Sequence, residues 1–216
     1  MNGGIITSLR DRVPLRPLTR SEHLRIAELQ AQRFLALSGI AQPPVPASII
    51  SELPRLQVTV MRPFPVSGAT HWKHGAWLIV LNGREPQTRQ RFSLAHEFKH
   101  ILDDRFIDLI YRHVPDADRR DFIEQVCNYF AGCLLIPRPW LKRAYYGGMQ
   151  STKLLARHFD VSEAAIETRL GQTGLVDPRP RCARTSTDRS LQPDPGADTP
   201  HYYRELHPGF ATGAVA

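Results

Sequence analysis

The segment Arg91-Phe-Ser-Leu-Ala-His-Glu-Phe-Lys-His-Ile-Leu-Asp-Asp104 constrains the fold more than any other part of the chain. Placed on a helical wheel at about 100° per residue, Leu94, Ala95, Phe98, Ile101 and Leu102 share one face, and Ser93, His96, His100 and Asp103 share the other. An apolar face demands a packing partner, so this helix must lie against a sheet or a second helix. Its other face carries chemistry. Two histidines four residues apart sit about 6 Å apart along the axis, close enough for both imidazoles to reach one cation. Glu97 stands beside them, placed to polarise a water without itself being a ligand.

The H-E-x-x-H pattern also arises by accident, and zinc requires at least a third protein ligand. The segment DFIEQVCNYFAGCLLIP, residues 121–137, supplies one. With Glu124 at zero on the wheel, Asn128, Ala131 and Leu135 fall within about 40° of it. That stripe is expected to face the histidine helix, with Ala131 small enough to let the two backbones approach. Asn128, one turn beyond Glu124, is expected to orient a ligating imidazole by a hydrogen bond. Two histidines and one carboxylate leave a fourth tetrahedral position for water, as in a catalytic site. Such a water can have its pKa lowered towards about 7. Glu97 would take its proton as it attacks a peptide carbonyl. A donor for the transition state is also expected, with His113, Tyr111 and His71 as candidates that the sequence does not separate.

The rest of the chain reads as a frame for these two helices. Residues 1–20, with Pro14 and Pro17, read as a flexible leader. An amphipathic helix from Ser21 to Gly39 and a short helix ending near Leu53 precede strands at 56–62, near 70–72, and at 76–82. The last of these, AWLIVLN, is a candidate edge for an added substrate strand and equally an ordinary core strand. The histidine helix spans Gln87 to Asp103, and the second runs from Asp116 to Ile136, with Asp116 as its cap and Pro137 and Pro139 as its stop. The segment LARHFDVSEAAIETRL has helix-turn-helix spacing, with Ala156, Ile166 and Leu170 as anchors. Its second helix carries Glu163 and Glu167 with only Arg169, which favours packing or partner docking over DNA contact. Together these give an α+β fold: a small mixed sheet packed against the H-E-x-x-H helix and a second ligand-bearing helix. A zinc-binding domain at 21–145 is expected, then a helix-turn-helix-like module at 146–176 and a disordered tail at 177–216.

Composition narrows the setting. Across 216 residues no stretch is apolar enough to span a bilayer, and the N-terminus lacks a secretion-type apolar core, so a cytoplasmic location is expected. Three cysteines without a CxxC pair imply neither a disulfide framework nor a thiolate zinc site; Cys127 and Cys133 read as buried small hydrophobes. A net charge of +7, spread along the chain, permits an acidic or nucleic-acid partner without demanding one.

The order of PPVP, strands ending in Asn82, RQRFSLAHEFKHILD, EQVCNYFAGCLLIP and LARHFDVSEAAIETRL resembles the ImmA/IrrE family of metallopeptidases over roughly residues 20–176. The resemblance implies a gluzincin-like fold and a Zn2+ cofactor, with Mn2+ a substitute in vitro. His96, His100 and Glu124 inherit the metal roles and Glu97 the catalytic one. It also implies a substrate: a helix-turn-helix repressor or antitoxin whose cleavage derepresses genes. Two residues depart from the pattern. Lys99 stands where Gly is frequent and is expected to snorkel outward; Cys127 stands where Ala is common. Rival readings are a DNA-binding or sensor protein with an inactive zinc site, and a peptide deformylase. The latter takes a cysteine ligand from upstream of the histidines, whereas both core cysteines here lie downstream.

Overall fold

The computed structural model describes residues 4–176. In chain order the elements are α1 (Ile5–Arg10), α2 (Arg20–Leu37), α3 (Ser48–Ser51), β1 (Leu56–Met61), β2 (Gly68–Lys73), β3 (Ala76–Asn82), α4 (Gln87–Asp103), α5 (Ile107–Ile110), α6 (Asp116–Leu135), α7 (Arg138–Tyr146), α8 (Thr152–Phe159) and α9 (Glu163–Thr173). The mixed α+β class expected from the sequence is the observed one.

The sheet has the order β1-β3-β2, with β1 parallel and β2 antiparallel to β3. A two-residue turn joins β2 to β3, with His74 at φ 51° and Gly75 at φ 78°. Positive φ at both positions matches the right-handed twist of the strands it connects. β3 is therefore central and its ladder is used on both sides. This excludes AWLIVLN as an acceptor for an added strand; the outer edges belong to β1 and β2. Alternation along β3 fits its place, with Trp77, Ile79 and Leu81 turned into the core.

Helix α4 lies across β2 and β3 and against α6, and α2 packs on α6. Phe98 joins the three helices, with its ring centroid 5.0 Å from Phe34 of α2 and 6.3 Å from Phe130 of α6. α2 begins with a full capping box, Thr19 and Glu22 each satisfying the other's backbone amide. α6 starts differently from expectation. Pro115 precedes it and no side chain caps it; Asp116 lies inside the first turn and pairs with Arg119 at 2.7 Å.

Residues 5–18 are not a loose leader. Leu9, Val13 and Leu18 are buried, and Arg10 Nη2 donates to the carbonyl of Ile101 at 2.7 Å, near the end of α4. A six-residue helix is too short to show periodicity, so its single core anchor, Leu9, gave no pattern to read. Helix α7 was likewise concealed. Pro139 falls in its first turn, where a missing N–H costs nothing, rather than ending the preceding helix.

Lys99 does not snorkel. It is 2% exposed, and its Nζ donates to Asp103 Oδ1 at 2.5 Å and Gln30 Oε1 at 2.9 Å. Asp103 also accepts from the Tyr111 hydroxyl at 3.0 Å. A buried cation needs a charge partner and hydrogen bonds; here the i+4 carboxylate on its own helix is the partner, Gln30 of α2 adds a second acceptor, and the outward path is unnecessary.

The C-terminal helices are tied to α4 and α6 by two buried arginines. Arg91 of α4 donates to the carbonyl and the carboxylate of Asp160, in the α8–α9 turn, and to the carbonyl of Val45 at 2.5 Å. Arg169 of α9 is 2% exposed, donates from Nε to the Ile136 carbonyl at 3.1 Å, and stacks 5.3 Å above the Tyr129 ring. Cys127 and Cys133 are free, buried thiols. Cys182 and the expected tail lie outside the described residues. Among the described residues, no helix is long and apolar enough to cross a membrane.

Candidate metal centre

Helices α4 and α6 meet where the wheel places their chemical stripes. His96 Nε2 lies 3.1 Å from His100 Nε2 and 3.1 Å from Glu124 Oε2, while His100 Nε2 is 3.5 Å from Glu124 Oε1. Four residues of separation on α4 set the first distance; the close approach allowed by Ala131, fully buried on α6, sets the others. The Nδ1 of His96 is 2.9 Å from Asn128 Oδ1. That oxygen only accepts, so Nδ1 carries the proton and Nε2 presents its lone pair to the shared point.

The spacing can be compared with what a cation needs. Nitrogen and oxygen ligands about 2.0–2.1 Å from a tetrahedral zinc stand roughly 3.3 Å from one another. Separations of 3.1, 3.1 and 3.5 Å bracket that figure. Two imidazole lone pairs and a carboxylate converging at this distance repel one another unless a cation or proton lies between them. The residues present fit a divalent metal.

The electrostatics agree with a strongly coupled cluster. Burial pulls His96 down, yet Glu124, Glu97 and Asn128 outweigh it and its pKa is raised. Burial pushes Glu124 up, and the two histidines with Arg120 reverse this, leaving it lowered. Glu97 goes the other way. Its carboxyl is raised above the ordinary range because burial dominates, opposed by His96 and by a hydrogen bond from Thr70.

Glu97 is held from β2. The Thr70 hydroxyl donates to Glu97 Oε2 at 2.8 Å, and a Cβ on Gly68 would come within 3.0 Å of Glu97 Cγ and Oε1. Neither residue was marked by the sequence. Period-2 alternation shows which strand residues face inward, but not which side chain of a later helix they meet.

A cleft of about 530 Å3 opens over the cluster, lined among others by Gly68, Phe92, His96, Glu97, Arg120 and Glu124. A second groove of about 590 Å3, between α9 and helices α4 and α6, shares Arg89, Phe92 and Asn128 with it. Of the three donor candidates, Tyr111 is fully buried and bonded to Asp103, and neither His71 nor His113 lines the cleft. Arg120 does. It sits one turn before Glu124 on the same stripe, a signal present in the sequence and passed over.

The fold is similar to that of a Mycobacterium tuberculosis transcriptional regulator, with a TM-score of 0.57 at 17% identity, covering 78% of this chain and 52% of that one. The radiation response metalloprotease IrrE of Deinococcus radiodurans is 33% identical over 76 residues, which is 32% of this chain and 23% of the relative. The chain thus spans about half the length of one relative and matches under a quarter of the other. The model of the IrrE N-terminal-like domain matches residues 55–171, a span that holds the sheet, α4, α6 and the convergence of His96, His100 and Glu124. More than half of the sequence lies in that match, and the chain belongs to the M78 peptidase family of IrrE N-terminal-like domains.

Proposed function

We propose that this chain is a zinc-dependent endopeptidase in which His96, His100 and Glu124 hold the metal and Glu97 is the general base. The observation that carries the reading is the 3.1–3.5 Å convergence of those three side chains beside the buried carboxylate of Glu97. A bound zinc supplies Lewis acidity for a carbonyl and acidifies a water at the open position.

The remaining work falls to side chains. Asn128 fixes the His96 tautomer so that Nε2 is free to ligate. Glu97, held by Thr70, accepts a proton from the attacking water and returns it to the leaving amine. Arg120, a cation in the same cleft, is placed to stabilise charge developing on the carbonyl oxygen. An extended substrate would run along the outer edge of β2, whose Gly68 lines the cleft, gripped by main-chain hydrogen bonds.

The resemblance points to a helix-turn-helix repressor or antitoxin as the protein cleaved, in the cytoplasm. Direct DNA binding by α9 is disfavoured because Arg169, its one cation, is buried against Ile136 and Tyr129. The test is co-incubation, with zinc or manganese, with the product of a neighbouring helix-turn-helix gene. One discrete cut is expected, abolished in Glu97→Gln with metal content retained. A Glu97→Gln protein that still cuts would remove the base assignment; intact substrates throughout would favour a non-proteolytic sensor.

A further inference from the structure

The two histidines belong to two triads, and only one of them includes Glu124. One ring nitrogen of His96, one of His100 and the Sγ of Cys127 all lie within 4.8 Å of one another. Cys127 is three residues beyond Glu124 on α6 and 0% exposed, whereas the Glu124 side chain is 36% exposed. The carboxylate therefore approaches the histidines from the solvent side and the thiol from the interior.

We propose that Cys127 is a further ligand to the cation held by His96 and His100, reaching it from the interior of the protein. This rests on the metal reading given above and adds to it. With Zn–S near 2.3 Å and Zn–N near 2.0–2.1 Å, sulfur and nitrogen ligands of a tetrahedral zinc stand about 3.6 Å apart. Separations of at most 4.8 Å exceed that figure by no more than about 1.2 Å. Coordination breaks the Sγ–H bond, sends its proton to solvent and forms the Sγ–metal bond, with no change of oxidation state.

Two consequences follow from the chemistry of sulfur. A thiolate favours zinc, cobalt or cadmium over manganese, so this chain discriminates against Mn2+ more strongly than a site of two histidines and a carboxylate. With His96, His100, Glu124 and Cys127 all engaged, the open position is closed. The four-donor state is then a resting form, left when one donor gives way to substrate.

The test is the electronic spectrum of the full chain loaded with Co2+ alone. A sulfur-to-cobalt charge-transfer band in the near ultraviolet is expected, lost in Cys127→Ala and kept in Cys133→Ala. Zinc K-edge absorption on the wild-type protein gives a second readout, one sulfur scatterer at about 2.3 Å. Both variants are small changes in buried sites, and their helical circular dichroism should match the wild type. A cobalt spectrum showing only nitrogen and oxygen ligation, identical in wild type and Cys127→Ala, overturns the thiolate ligand and leaves the metal site standing. Failure to bind cobalt at all overturns both.

Discussion

The hydroxyl of Thr70 donates to Oε2 of Glu97 across 2.8 Å, joining the middle of a sheet strand to the carboxylate beside the histidine pair. Both groups are buried, Thr70 at 5% exposure and Glu97 also at 5%. A hydrogen bond to a charged group is worth about 1.5–3 kcal/mol, so its loss is large enough to move a carboxylate between rotamers. Replacing Thr70 by Val should lower kcat by about 10- to 100-fold with KM and zinc content little changed, and Thr70→Ser should restore most of it. Equal loss in the Val and Ser variants would show that packing, rather than the hydroxyl, matters at this position.

Gly68 controls the same carboxylate by leaving room for it. A Cβ there meets Glu97 Cγ and Oε1 at 3.0 Å, so Glu97 must shift by a few tenths of an ångström, and the methyls of a valine crowd it further. Gly68→Val is expected to retain the fold and the metal while losing most peptide hydrolysis. Circular dichroism, zinc analysis and a cleavage assay on one preparation separate these effects; an active Gly68→Val protein would show that Glu97 has space the structure denies it.

Removing Glu124 should weaken the centre strongly, whereas altering Asn128 should weaken it more mildly. Asn128→Ala frees the His96 ring to rotate and change tautomer, for which a 10- to 100-fold loss of zinc affinity is expected. Glu124→Ala should bind zinc far more weakly still. Competition with a chromogenic chelator measures both, and full zinc retention by Glu124→Ala would mean that another residue completes the site.

The buried pair of Lys99 and Asp103 should show strong non-additivity. Each side chain is at most 3% exposed, and removing one leaves the other charged and unmatched. Lys99→Met or Asp103→Leu alone should cost about 3–5 kcal/mol, and the Met/Leu double replacement markedly less than the sum. Urea unfolding of the four proteins closes the cycle. Additive losses would mean that water reaches the pair.

Stability should fall in mild acid through His23. Burial holds this ring's pKa down to about 4, with Lys99 adding to the effect and Asp103 opposing it. It lies stacked on Tyr111 with centroids 4.1 Å apart. An unfolded chain takes up the proton near pH 6.5, the folded one only near 4, so protonation favours unfolding between these values. The contribution is complete above about pH 6.5 and lost progressively down to pH 4, about 3 kcal/mol in all. The urea midpoint should therefore drop between pH 7 and 4.5 by more in the wild type than in His23→Phe. Parallel curves would place the acid sensitivity elsewhere, with the carboxylates.

What could be read without coordinates was whatever repeats along one helix. The wheel put His96 and His100 on one face and put Glu124, Asn128 and Ala131 on another, and α4 begins and ends at the residues its pattern gives, Gln87 and Asp103. Periodicity determines such sets because the backbone geometry of a helix is fixed. It says nothing about azimuth relative to a partner that arrives from elsewhere in the chain. Tertiary packing alone decided that β3 is central, that Lys99 is enclosed with Asp103 and Gln30, that Leu9 anchors the N-terminal turn, and that Thr70 and Gly68 of β2 cradle Glu97. Each of these joins segments whose spacing no local rule constrains. They are settled by which buried polar groups can find partners once the helices have closed on the sheet.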